Sequence, residues 1–102
     1  MINNLNQPER DSLVLSCYPK LVIWVVKKLS FSPKYGERIR DLCHRGMKDD
    51  LIQVGYEALV TASVYFDSNG GAKFSTYATK CVVLKIRDWL LFIIFRVGSS
   101  TE

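Results

Sequence analysis

A single histidine, His44, is all the imidazole the chain has, and no nucleophile or carboxylate pair is placed to work with it. Cys43 is its neighbour, but adjacent residues diverge on a helix, so the two do not form a nucleophile and its base. Catalysis is not expected, and no catalytic residue is assigned. The cysteines are Cys17, Cys43 and Cys81, an odd set with no CxxC spacing. That argues against a disulfide framework and against a zinc site. Reduced thiols in a cytoplasmic protein are the expectation, with no cofactor and no metal. A long apolar run is also missing. "LVIWVV" and "WLLFIIF" fall far short of the roughly 20 residues that span a bilayer. The N-terminus "MINNLNQPERD" is polar, unlike a signal peptide, so no membrane partner is expected. Internal repeats, low-complexity segments and a convincing β-hairpin pattern are absent as well.

The 102 residues are 48% hydrophobic, enough for one domain (1–102) with a modest core. Residues 1–12 and 97–102 are expected to be loose. Fourteen basic against 10 acidic residues give a formal charge of +4, which fits a polyanionic partner without requiring one. A first helix is predicted from about Pro8 to Leu29, with Leu13, Cys17, Leu21, Trp24 and Lys28 at helical spacing and Pro19 kinking or restarting it. "SFSPKYG", residues 30–36, reads as a loop, and "ERIRDLCHRG" as a short charged helix ended by Gly46. Asp49 and Asp50 stand at N-cap positions of the next helix, Asp50 forming a capping box with Gln53. Ile52, Gly55, Leu59, Ala62 and Phe66 then recur on one face. After "DSNGGA", Ser75 or Thr76 is expected to cap a last helix with the stripe Phe74, Ala78, Val82, Ile86, Trp89 and Ile93. The class is all-α, a single bundle of three to four helices.

Lys73, Lys80 and Arg87 are spaced by seven on that last helix and so share a face, with Tyr77 and Leu84 between them. Cations interleaved with an aromatic suit a single nucleic acid strand: phosphates meet the cations and a base stacks on the ring. The same pattern also suits a solvated lysine face whose tyrosine is half-buried against a neighbouring helix.

"DLIQVG", "YFD", "GAKFSTYA" and "TKCVVLKIRDWL" follow one another within residues 49–90. That order and spacing resembles region 2 of bacterial RNA polymerase sigma factors, and "PKLVIWVVKKL", residues 19–29, resembles the helix that precedes the pair. The resemblance implies a sigma region 2 fold and capture of the non-template strand of the minus-ten promoter element. An adenine leaves its stack there, and aromatic side chains replace the lost stacking. Tyr77 matches the stacking tyrosine. Phe74, Ser75 and Thr76 match the entrance to the base pocket, and Lys73 matches a phosphate contact. Lys80 and Arg87 extend the DNA-binding set. The second partner implied is core RNA polymerase, whose β′ coiled coil would dock at Asp50, Gln53 and Tyr56.

The chain departs from the housekeeping pattern in several places. Lys80 and Cys81 replace two tryptophans, so "YATKCV" looks more like sporulation-type or alternative members. Val54 stands where many members carry an acid. Leu84 has no donor for reading the duplex. Residues 31–48 make a longer link than usual. The chain carries no C-terminal helix-turn-helix, which implies a fragment or a one-domain factor working with a separate sigma-like subunit for upstream promoter recognition. The seven apolar residues of "WLLFIIF" exceed what one helix face buries, which suggests a protein surface. The competing function is a protein-binding adaptor or regulator with this fold that has lost DNA binding.

Overall fold

The expected bundle forms, with five helices among the described residues in place of three or four. A computed structural model describes residues 5–67 and 69–101, with side chains given up to residue 93 in the last helix. The helices are α1 (Gln7–Cys17), α2 (Lys20–Ser30), α3 (Gly36–His44), α4 (Lys48–Tyr65) and α5 (Phe74–Thr101).

Helix α1 starts inside the stretch expected to be loose, because a capping box holds it. The Asn6 side chain accepts the Glu9 N–H at 3.0 Å, and the Glu9 carboxylate accepts the Asn6 N–H at 3.1 Å. Pro8 sits in the first turn, where a missing N–H costs nothing. Of the two outcomes expected at Pro19, a kink or a restart, the structure takes the restart, so the stretch to Leu29 is two helices. Pro19 has no N–H to donate and disfavours helical backbone at Tyr18, so α1 ends at Cys17 and α2 starts afresh. The restart resets the phase of the apolar face. Val22, Val25 and Val26 turn inward, while Trp24 is 51% exposed with the Lys28 ammonium 5.5 Å above its ring. Trp24 and Lys28 therefore do not share the buried face expected of them.

Charged helix α3 buries only Gly36, Ile39 and Leu42, and the chain turns out of it at Gly46 with φ +81°, a left-handed conformation glycine adopts without strain. In α4 the N-cap is Met47, with no side-chain hydrogen bond. Asp49 and Asp50 lie within the first turn instead of capping it, and Asp50 and Gln53 make no capping box. Their charge still complements the positive end of the helix dipole.

Two rows four residues apart run along α4: Leu51, Gly55, Leu59, Ser63, and Val54, Ala58, Ala62, Phe66. All are buried. At Gly55 a Cβ would overlap the Val22 methyl groups, so this glycine is what lets α2 and α4 approach. Helix α5 starts at Phe74, one residue before Ser75, with the Lys73 carbonyl accepting the Thr76 and Tyr77 N–H groups, both at 3.2 Å. Ser75 and Thr76 are thus first-turn residues and not the cap. Phe74, Ala78, Val82, Ile86 and Leu90 form its buried row. Leu90 takes the place expected of Trp89, which with Ile93 is only partly buried. A strict four-residue step continues the ridge that packs on a neighbouring helix, and a step of three leaves it. Ile94 and Phe95 of "WLLFIIF" and residues 1–4 lie outside the described side chains. The backbone of α5 stays helical through most of the expected loose tail.

Candidate functional site

The buried row of α5 fixes what its other side presents. Lys73, Thr76 and Lys80 are exposed, Leu84 is 48% exposed, and Arg87 is partly so. Lys73, Lys80 and Arg87 thus line one side of the helix, as their spacing of seven requires. Thr79, Lys80, Val83 and Leu84 border a shallow hollow of about 330 Å³ on this side. Thr79 and Val83 were not singled out in the sequence, although both lie one residue from members of the stripe.

Tyr77 lies at the edge of this face, half-buried. Its ring rests on Phe66, which caps the end of α4, with centroids 5.9 Å apart and planes tilted by 37°. Phe66 in turn meets Phe74 edge to face at 5.3 Å. Partial burial, then the neighbouring Cys81 thiol and then Tyr65, push the Tyr77 hydroxyl above its ordinary pKa. The phenol is neutral at physiological pH, as an ordinary tyrosine is, and its ring packs on one side against Phe66. Phe74 is core, so it shapes the helix entrance from behind and presents no surface of its own. Ser75 is exposed, and its carbonyl accepts the Thr79 hydroxyl at 2.7 Å, an ordinary intrahelical bond.

The residues expected at polymerase are on α4. Asp50 and Gln53 are exposed in its first turns. Tyr56 is half-buried and packs edge-on against Tyr18, with ring centroids 5.0 Å apart. It also borders a groove of about 330 Å³ with Arg10, Val14 and Leu15 of α1. Tyr56 is thus tied to α1, while Asp50 and Gln53 face solvent. Among the described residues, no group of three or more His, Cys, Asp or Glu side chains is placed to hold a metal ion. No described helix is long and apolar enough to cross a membrane.

The described residues thus form an all-α bundle in which a helix with an acidic first turn, a phenylalanine-lined turn and a basic, tyrosine-bearing helix follow one another. Residues 16–91 match the family model for Sigma-70 region 2. The chain belongs to the sigma-70 region 2 family, one of non-enzymatic transcription initiation factors, and its role is sigma-factor-like, in transcription initiation. Region 2 implies interaction with core RNA polymerase and promoter DNA in general. No curated protein and no solved structure matches the chain.

Proposed function

We propose that the protein is a cytoplasmic factor that binds core RNA polymerase through the β′ coiled coil and captures the non-template strand of the minus-ten element on α5. The observation that carries this reading is the α5 face itself: Lys73, Lys80 and Arg87 in one row, with a neutral, Phe66-anchored Tyr77 beside them. A ring already held in place loses little freedom when a base stacks on it. The cations then neutralise successive phosphates. Ser75 and Thr76 border the entrance, and the exposed Asp50 and Gln53, with Tyr56, meet polymerase. Leu91 and Phe92, 43% and 53% exposed, supply an apolar surface on the far half of α5 for a separate subunit that recognises the upstream promoter.

A protein-binding adaptor without DNA contact is the second reading. It draws on the contact between Tyr77 and Phe66, which by itself gives that ring a packing role. Binding of single-stranded minus-ten oligonucleotides over a salt series separates the two, alone and in the polymerase complex. Tyr77→Ala is expected to weaken binding by about 1–3 kcal/mol with the salt slope nearly unchanged. Lys80→Ala is expected to flatten the slope by about 0.7 with little dependence on base identity. If the folded Tyr77→Ala protein binds as tightly as the parent, the adaptor reading replaces the first.

A further inference from the structure

Helix α3 lies in the link that is longer than usual, and it makes a groove with α2 that the shared motifs of α4 and α5 do not account for. The groove has a volume of about 450 Å³. Its rim carries Lys27 from α2, Arg40 and His44 from α3, and Lys48 from the start of α4. Among the described residues that line it, none is a carboxylate. Asp41, also on α3, is already engaged by Arg45 at 3.1 Å. The floor is of a different kind: Val26 and Ile39 are buried, and Cys43 is partly so. Arg40 is held in place by donating to the Ser30 carbonyl.

We infer that this groove docks an acidic peptide segment carrying aliphatic side chains, presented by a protein partner. The rim cations, Lys27, Arg40 and Lys48, call for anions, and carboxylates on an extended or helical segment can reach more than one of them at once. The floor selects among polyanions. Nucleic acid gains sequence-tolerant affinity by stacking bases on aromatic rings, and no aromatic side chain lines this groove. A leucine, isoleucine or valine side chain, by contrast, leaves water when it meets Cys43 and the exposed edge of Val26, with the fully buried Ile39 supporting that floor from beneath. The volume lies within the range of binding clefts and holds one or two such side chains. None of the groove residues belongs to the proposed DNA or polymerase surfaces, so this inference stands apart from that reading.

The test uses the full chain and a fluorescein-labelled peptide of alternating glutamate and leucine pairs. Fluorescence anisotropy measures binding. Maleimide alkylation of Cys43, read by mass spectrometry against Cys81 on α5, locates it. The peptide is expected to bind and to slow alkylation of Cys43 several-fold while Cys81 is unaffected. Lys27→Gln and Lys48→Gln are each expected to weaken binding roughly two- to fivefold, as for solvent-facing ion pairs. Three outcomes overturn the inference: no protection of Cys43 at saturating peptide, equal binding of a peptide with every glutamate replaced by glutamine, or protection by oligothymidylate as strong as that by the peptide. The last would make the groove a nucleic acid site. Because protection is read on the unaltered chain, the test does not depend on either lysine variant folding.

Discussion

Helices α4 and α5 bury long, regular rows, whereas α3 contributes Gly36, Ile39 and Leu42 to the interior and little else. The first region leans on small residues: Gly55, Ala58, Ala62 and Ala78 are all buried, and they let helix backbones approach closely. The second surrounds its few apolar residues with exposed charge at Glu37, Arg38, Arg40, Asp41 and Arg45. Packing dictates most positions in α4 and α5, so only one side of α5 is left for the proposed DNA contact. In α3 almost every side chain can vary without disturbing the core, which makes it the place where a family member can acquire a surface of its own.

Truncations test that contrast most strongly. Leu59→Ala and Ile39→Ala each remove a fully buried aliphatic side chain, and such changes cost about 2–5 kcal/mol. Leu59→Ala is expected near the top of that range and Ile39→Ala near the bottom, because α3 packs chiefly on α2 and can settle into the space left. Urea denaturation decides it, and equal losses would erase the distinction between the two regions. Gly55→Ala is expected to cost about 1–3 kcal/mol by forcing α2 and α4 apart at Val22. A variant as stable as the parent would mean that Val22 can rotate away, and the glycine would then not set the helix spacing.

Gln53→Ala removes an exposed side chain, so stability should change by less than about 0.5 kcal/mol. Affinity for the β′ coiled coil should fall by about 1 kcal/mol or more if this residue anchors the contact. The single change is a cleaner probe than one that includes Tyr56, whose ring also packs against Tyr18. Unchanged affinity would remove the start of α4 from the polymerase surface.

The smallest effect concerns Tyr77. Folding raises its pKa, so the folded chain holds the phenolic proton to higher pH than the unfolded one. Its contribution is complete below about pH 10 and declines as pH rises through the folded value. Tyr77→Phe should therefore lessen the fall of Tm in alkaline solution. An identical alkaline decline in both proteins would mean that partial burial of this hydroxyl has no energetic weight.

Much of this was legible in the chain. Phe74, Ala78, Val82 and Ile86 announce one buried face of α5, and Gly55, Leu59, Ala62 and Phe66 one of α4, because helical periodicity is written locally. The motif order from "DLIQVG" to "GAKFSTYA" likewise carries the family likeness in the chain itself. Lys73, Lys80 and Arg87 share a side by spacing alone. Other features needed the assembled bundle. A kink or restart at Pro19 is legible in the chain, but not that Trp24 faces outward after it. The ridge that packs against α5's neighbours decided that Leu90, and not Trp89, is buried. Tyr77 came to rest on Phe66 only because α4 and α5 meet at that end. The groove rimmed by Lys27, Arg40, His44 and Lys48 draws on three helices, and no single stretch of sequence contains it. Periodicity specifies a face relative to its own helix axis, and only the crossing of helices determines which faces meet and which remain in water.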